Sequence, residues 1–158
     1  MVRTSCVCFL VACSSATPVG RICDLGTDTP SPSDIVVASP SLDCVSRTCL
    51  RVPAQKELPP GSVSLVGNNG LCTAECQTDD DCAGVADSPC TTGFTCAVAT
   101  PVGPFCCQKV CMCRDYVKVP ESGEIATPEQ CDASQDANAC CNLPGRRDDP
   151  AKYPLCGG

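Results

Sequence analysis

The fold class is decided by residues 72–113, which read CTAECQTDDDCAGVADSPCTTGFTCAVATPVGPFCCQKVCMC. Nine cysteines lie in these 42 residues, and the whole chain of 158 residues has 19. Cysteine at this density is typical of disulfide scaffolds that form in an oxidising compartment. The sequence therefore predicts a small disulfide-rich protein.

The rest of the composition explains why disulfides are needed. The chain has no tryptophan and 3% aromatic residues, while 15 prolines and 12 glycines interrupt every candidate helix or strand. Such a chain buries little apolar surface to offset the ordering of its backbone, which costs roughly 1–2 kcal/mol per residue. Each disulfide typically contributes about 2–4 kcal/mol. We expect an irregular fold with short antiparallel β-strands, one or two short helical turns and little other regular secondary structure.

The first residues of the chain predict export. A basic start precedes a short apolar run that ends in Leu10-Val11-Ala12-Cys13, and polar residues follow. This arrangement resembles bacterial lipoprotein signal peptides. The resemblance implies cleavage before Cys13, diacylation of its sulfur and acylation of the new amino group. The alternatives are an ordinary secretory signal and a buried strand of a cytosolic protein.

The number of cysteines agrees with lipidation. Cleavage would discard Cys6 and Cys8, and lipid would occupy the thiol of Cys13, so 16 of the 19 cysteines would remain. An even number can pair completely, whereas an odd thiol in an exported protein requires an explanation. The predicted disulfide cysteines are Cys23, Cys44, Cys49, Cys72, Cys76, Cys82, Cys90, Cys96, Cys106, Cys107, Cys111, Cys113, Cys131, Cys140, Cys141 and Cys156.

Three segments follow from this interpretation. Residues 1–12 are the predicted lipoprotein signal peptide, and residues 13–43 are a lipidated N-terminus with a Pro/Ser-rich tether that Cys23 staples to the rest. Residues 44–158 form the disulfide-rich module, which is densest at 72–113.

Regular elements are predicted where apolar and β-branched residues cluster between turn residues. We expect strands at 35–38, 63–66 and 93–98, with 105–107 pairing against 93–98. Asn68-Asn69-Gly70 predicts a turn, because Asn-Gly accommodates positive φ. Two helical turns are predicted, one with Thr78 as N-cap of Asp79–Asp81 and one with Thr127 as N-cap of a turn through Cys131.

The positions of the cysteines also limit how they can pair. Cys44 and Cys49 either close a small loop with each other or pair elsewhere. Cysteines adjacent in sequence rarely bond to each other, because a trans peptide holds their sulfur atoms in poor geometry. We therefore expect the pairs at 106–107 and 140–141 each to tie two other segments together.

Several classes of function lack the residues they need. The chain has no histidine, so a Ser-His-Asp or Cys-His catalytic site is absent, and no enzyme activity or cofactor is predicted. It has no Cys-x-x-Cys, which argues against a structural zinc site, and Asp79-Asp80-Asp81 does not match a calcium-binding loop. The net charge of −7 includes no basic patch, so nucleic acid is not an expected partner.

A secreted protease inhibitor or ligand-binding module is the alternative function. Cys76-x5-Cys82 and the later run Cys106-Cys107-x3-Cys111-x-Cys113 distantly resemble the four-disulfide core of whey-acidic-type modules. The resemblance implies a rigid loop presented to a protease. Cys90 and Cys96 depart from that pattern, and Arg47, the basic residue between Cys44 and Cys49, lies in a short loop.

The order of the segments carries a second resemblance. The chain begins with a lipobox, and a tether follows that contains Gly20-Arg21-Ile22-Cys23-Asp24-Leu25. After the tether come Leu71-Cys72-Thr73-Ala74-Glu75-Cys76 and a cysteine-rich module. This layout is similar to cysteine-rich bacterial outer-membrane lipoproteins, especially the small lipoproteins of adventurous gliding motility. The resemblance implies an outer-membrane protein anchored through lipid on Cys13. It also implies a non-enzymatic binding or structural role in an envelope complex with protein partners.

Overall fold

The computed structural model describes residues 17–26, 30–134 and 138–156. Cys13 and the predicted signal peptide lie outside the described residues. The strands are β1 (Ile22–Asp24), β2 (Val36–Ala38), β3 (Thr48–Arg51), β4 (Asn69–Thr73), β5 (Phe94–Val98) and β6 (Lys109–Cys113). Within the described ranges the helical elements are two single 3-10 turns, Asp79–Asp81 and Glu129–Cys131. The predicted fold class, a small disulfide-rich protein with short antiparallel strands, is confirmed.

Four strands form one antiparallel sheet in the order β1-β4-β3-β2. Cys49 of β3 lies opposite Cys72 of β4, yet the two do not bond to each other. Cys49 pairs with Cys23 of β1, and Cys72 pairs with Cys44 in the loop before β3. Cys44 and Cys49 therefore pair elsewhere and do not close the small loop between them.

The segment expected to be a tether contributes to this sheet. β1 and β2 both lie before Cys44, where the sequence placed the start of the module. Val19 is fully buried, and the Gly20 N–H donates to the Cys72 carbonyl at 2.8 Å. Gly20 has φ +94°, and a Cβ there would lie 2.4 Å from the Phe94 ring. Backbone pairing and apolar burial thus hold residues 19–24 and 36–38 against the module.

The second sheet is the β5–β6 hairpin, which pairs Phe94 with Cys113 and Val98 with Lys109. The strand predicted at 93–98 is therefore present, but its predicted partner at 105–107 is wrong. Residues 104–107 form a turn, and Cys107 has φ +56°, which is incompatible with a strand. The neighbouring cysteines also leave in different directions, because Cys106 bonds to Cys140 and Cys107 to Cys131.

The strand predicted at 63–66 is wrong as well. Its nearest candidate partner, β4, is already paired on both sides, by β1 and β3. Val63 and Val66 are 49% and 64% exposed, and the Val63 carbonyl accepts a hydrogen bond from the Tyr116 hydroxyl at 2.6 Å. The segment is therefore held by a side chain and not by a strand.

Local turn chemistry was predicted to within one to three residues. The turn before β4 is centred on Gly67, which has φ +63°, and Asn69 N–H donates to the Val66 carbonyl. Asn69 already belongs to β4, so the prediction at Asn68-Asn69-Gly70 was too late in the chain. The Asp79–Asp81 turn begins at Thr78 as predicted, whereas the second turn is capped by Pro128 and not by Thr127.

Eight disulfides pair all 16 cysteines of the predicted module and tether. The four bridges not yet described are Cys76–Cys96, Cys82–Cys111, Cys90–Cys113 and Cys141–Cys156. Most of the bridged cysteines belong to or pack against small apolar clusters, the largest of which contains Val19, Phe94 and Tyr116. No helix in the described residues is long and apolar enough to cross a bilayer.

Candidate functional site

One concave feature of the described residues is a cleft of about 620 Å³ beside β5. One wall is the 3-10 turn and the two residues before it, at 77–80. The opposite wall is the irregular segment 122–127, and Thr95 and Cys96 of β5 lie between the walls. Lys109, at the start of β6, also lines the cleft.

The two walls are attached to opposite faces of the hairpin. The bridge Cys76–Cys96 fastens the wall at 77–80 to the face on which Cys96 lies. Ile125 of the second wall packs against the apolar cluster that contains Ala97 and Val110, which point to the other face because side chains alternate along a strand. The backbone edge of β5 therefore lies between the two walls.

Asp79 organises the inner end of the cleft. Its carboxylate accepts from the Cys96 N–H at 2.7 Å and from the Thr95 hydroxyl at 3.1 Å, and it forms an ion pair with Arg114. Desolvation raises the pKa of Asp79, but the hydrogen bonds from Cys96, Arg114 and Thr95 outweigh it and hold the pKa below its usual value. Asp79 is therefore an ionised carboxylate at neutral pH.

Asp81 stabilises the 3-10 turn that carries Asp79. Its carboxylate accepts from the Gln77 N–H at 2.8 Å and from the Thr78 N–H at 2.9 Å. These two backbone hydrogen bonds lower the pKa of Asp81. This is the capping arrangement predicted from the sequence, and it fixes the position of the first wall.

The exposed charges of the cleft are more negative than positive. Asp80 and Glu124 are exposed, one on each wall, while Asp79 is balanced by Arg114. Lys109 is an exposed amine in the same cleft. The arrangement suits a polar or cationic ligand better than an anion.

A second candidate surface is the loop between β2 and β3. Ser41 N–H donates to the Arg47 carbonyl at 2.7 Å, and the Cys44–Cys72 bridge fastens the middle of the loop to β4. Leu42 and Val45, on either side of that anchor, are 82% and 76% exposed. The loop therefore holds two apolar side chains in solvent on a fixed backbone.

The same loop contains Arg47, the basic residue considered for protease inhibition. Arg47 has φ +64°, and its N–H donates to the Cys44 carbonyl at 3.0 Å. It thus lies in a tight turn and not in an extended segment. This geometry does not favour an inhibitory role for Arg47.

Two further loops, at 83–89 and 97–104, differ in exposure. The loop at 83–89 is held against the N-terminal segment, because Val85 N–H donates to the Val19 carbonyl at 2.9 Å and the Ser88 hydroxyl to the Gly20 carbonyl at 3.0 Å. In the loop at 97–104, Ala97 and Val98 belong to β5, and Val102 at its tip is 70% exposed.

In the described part of the chain, cysteines come together in three places where sulfur or carboxylate atoms lie within 4.8 Å of one another. The groups are Cys23, Cys44 and Cys72; Cys76, Cys82 and Cys111; and Cys90, Cys113 and Asp115. Every one of these cysteines is in a disulfide. A paired sulfur is not a thiolate, which is the form that binds a metal. Their proximity is explained by the bridges themselves.

Sequence reasoning missed most of the cleft. Asp79 and Arg114 are 35 residues apart, and neither Lys109 nor Glu124 belongs to a recognisable motif. The loop with Leu42 and Val45 had a local signal, because large apolar residues flank a cysteine in an otherwise polar stretch. The predicted lipidation site, Cys13, lies outside the described residues.

Comparison with known proteins adds no relative: no family model, no curated protein and no solved structure matches this chain.

Proposed function

We propose that this protein is a non-enzymatic binding component of a bacterial envelope complex, lipid-anchored through Cys13, of the kind that serves gliding motility or surface contact. The observation that carries the binding role is the exposure of Leu42 and Val45, at 82% and 76%, on a loop fastened by a disulfide. A partner that covers these two side chains would remove apolar surface from water, which favours association.

The disulfide frame supports this role energetically. Ordering a loop on binding costs free energy that is subtracted from the affinity. Here the loop backbone is fixed before any partner arrives, by the Cys44–Cys72 bridge and by the hydrogen bond from Asp24 N–H to the Asp43 carboxylate at 2.9 Å. The loop therefore retains more of its contact energy as affinity than a mobile loop would.

The anchoring part of the proposal rests on Leu10-Val11-Ala12-Cys13 and on the complete pairing of the other 16 cysteines outside the leader. Cys13→Ser should release the protein from the membrane fraction or block its processing, while Ser14→Ala should leave both unchanged. Fractionation and intact-mass measurement check this. A membrane-bound, processed form of Cys13→Ser would contradict the lipid anchor.

The binding part is tested by cross-linking in the native envelope followed by mass spectrometry. The wild type and the control Val66→Ser, which changes a valine that is 64% exposed elsewhere, should recover the same protein partners. The double variant Leu42→Ser, Val45→Ser should recover at least tenfold less of them. Equal recovery by all three proteins would refute the role of the loop. Stoichiometric inhibition of a protease by the purified protein, without envelope partners, would support the alternative of a secreted inhibitor.

A further inference from the structure

We propose that the bridge Cys141–Cys156 is a thiol-exchange site, at which a thiolate in the adjacent pocket forms a mixed disulfide with Cys156 and releases Cys141. The chemical class of the ligand is a thiol, either a small molecule or the cysteine of a partner protein. This inference goes beyond the proposed function, because it depends neither on lipid at Cys13 nor on the loop that carries Leu42 and Val45.

Cys141 and Cys156 are more accessible than the cysteines of the other bridges. Both are half-buried, whereas in the described residues each of the other seven bridges has at least one buried cysteine. Neither belongs to an apolar cluster of the described core. An incoming thiolate needs access to a sulfur atom, and exposed disulfides are the ones that exchange most readily.

The sulfur that leaves must also be stable as a thiolate. Exchange is faster when the leaving thiol has a lower pKa, and burial in apolar surroundings raises the pKa of a thiol. Three other bridges join a half-buried cysteine to a buried one, and they are Cys76–Cys96, Cys82–Cys111 and Cys107–Cys131. Attack on their accessible sulfur would expel a thiolate into an apolar cluster. Attack on Cys156 instead expels Cys141, which is half-buried and whose carbonyl accepts from Arg147 Nε at 3.3 Å.

A pocket of about 190 Å³ can hold the incoming sulfur beside Cys156. Its walls are formed by residues 138–139 and 152–156, so Cys156 lines the pocket and Cys141 does not. Lys152 contributes an ammonium group to the same lining. A nearby positive charge favours the thiolate form of a thiol, which is the reactive form. The pocket therefore directs attack to Cys156.

The cleft beside β5 also contains a half-buried cysteine, Cys96, but its surroundings oppose exchange. Attack on Cys96 would release Cys76, which is 5% exposed within the largest apolar cluster. The ionised carboxylate of Asp79 also accepts from the Cys96 N–H at 2.7 Å and would repel an approaching thiolate. Access to a sulfur atom is thus combined with a favourable charge at Cys156 and with an unfavourable one at Cys96.

The exchange step conserves atoms and electrons. The sulfur of the incoming thiolate bonds to Cys156 Sγ while the bond between Cys156 Sγ and Cys141 Sγ breaks, and the electron pair of that bond remains on Cys141 as a thiolate. In the reverse step the Cys141 thiolate attacks the mixed disulfide, restores the bridge and expels the thiol. The only co-reactant is the thiol itself.

Exchange at this bridge should change the C-terminal segment and leave the rest of the fold in place. The Tyr153 N–H donates to the Asp149 carbonyl at 2.9 Å and the Cys156 N–H to the Tyr153 carbonyl at 3.0 Å, so these turns are local to the segment. On the other side of the bridge, the residue before Cys141 is held separately, by the bridge Cys106–Cys140. Release of Cys141 therefore frees the segment without opening a neighbouring bridge.

The test uses the full mature chain with its disulfides formed, under native conditions at about pH 8, where an ordinary thiol is partly ionised. The two probes are 2-mercaptoethanesulfonate and the peptide acetyl-Ala-Cys-Ala-amide, each at one equivalent. After acid quenching and alkylation, peptide mapping by mass spectrometry should find the probe on Cys156 and the alkyl group on Cys141. This product should form roughly tenfold or more faster than any other mixed disulfide. Reaction of both probes would support a site open to any thiol, and reaction of the peptide alone would support a protein cysteine as the source.

Matched variants locate the reaction. Lys152→Gln should slow formation of the Cys156 adduct roughly threefold or more, whereas Lys118→Gln, which changes an exposed lysine outside the pocket, should not change the rate. The double variant Cys141→Ala, Cys156→Ala should form no adduct with either probe. Adducts spread equally over several bridges, an undiminished total adduct in the double cysteine variant, or equal rates in the two lysine variants would overturn the proposal.

Discussion

Replacing Asp115 should destabilise the protein more than replacing an exposed aspartate that also accepts a backbone hydrogen bond. Its side chain is fully buried and accepts from the Thr91 N–H at 2.7 Å, the Thr92 N–H at 2.9 Å, the Thr91 hydroxyl at 3.1 Å and the Thr92 hydroxyl. These bonds close the turn before β5. Asp115→Asn keeps the shape but replaces one acceptor oxygen by an NH₂ group that faces donors.

The magnitude follows from the donors that lose their acceptor. One backbone N–H and one hydroxyl lose it, and an unsatisfied buried donor costs about 1–3 kcal/mol. Thr91 and Thr92 are exposed, so water can replace part of the lost hydrogen bonding. We therefore expect Asp115→Asn to lower the free energy of unfolding by about 2 kcal/mol. Hydrogen exchange of the Thr91 and Thr92 amides should accelerate about 30-fold, at tenfold per 1.4 kcal/mol. Asp132→Asn is the control, because Asp132 accepts from the Ser134 N–H at 2.8 Å but is exposed.

The pH dependence gives a second readout. Desolvation raises the pKa of Asp115, but the hydrogen bonds from Thr92 and Thr91 outweigh it and leave the pKa below 3.8. A carboxyl whose pKa is lowered by folding stabilises the folded state above its unfolded pKa, and that contribution is lost as the pH falls through its folded pKa. The difference between wild type and Asp115→Asn should therefore be full at pH 7 and shrink below pH 3.8. A cost no larger than that of Asp132→Asn, or a difference that persists unchanged at low pH, would refute this reasoning.

Three further predictions concern the bridges and the ion pair. The double variant Cys141→Ala, Cys156→Ala removes a bridge of sequence separation 15, which contributes about 3 kcal/mol by loop entropy. It should perturb amide signals after residue 138 and leave those of β5 and β6 in place. Loss of the whole amide spectrum would contradict this prediction. Arg114→Gln should raise the pKa of Asp79 toward its usual value, measured by carbon NMR, yet change the free energy of unfolding by less than about 1 kcal/mol, because both partners are partly exposed. Alkylation under denaturing, non-reducing conditions should label no cysteine of the mature lipidated chain, and two or more labelled cysteines per chain would count against complete pairing.

The fold class could be predicted from the sequence because it depends on composition. The behaviour of the adjacent cysteines could be predicted too, since covalent geometry disfavours a bond between Cys106 and Cys107. The partner of β5 could not be chosen correctly from local propensity, which favoured Phe105. Lys109-Val110-Cys111-Met112-Cys113 carried a better signal, because cysteines at alternate positions face one side of a strand and can bond to one neighbouring segment.

The candidate surfaces were less predictable because they depend on long-range placement. Asp79 could be assigned a role at the start of a helical turn from Thr78 and its neighbours. Its ion pair with Arg114 and its hydrogen bond to the Cys96 N–H could not be predicted. Asp79 and Arg114 are 35 residues apart, and the disulfide connectivity that brings them together is not determined by cysteine spacing. Asp115 was missed for the same reason: its partners are 23 and 24 residues away.

The arrangement of the core explains how such a chain can leave its surface open for recognition. The largest apolar cluster has nine buried members, four of them cysteines, and in the cluster below β1 and β3 four of five are cysteines. Cross-links here take over part of the stabilisation that apolar mass supplies in larger cores. The stability of the fold then depends less on burying the side chains of the loops between bridges. Leu42 and Val45 can therefore remain exposed while the fold stays intact. A fold held in this way separates the residues that stabilise it from those that recognise a partner, and the exposed loop and the cleft beside β5 are the two places where that separation is clearest.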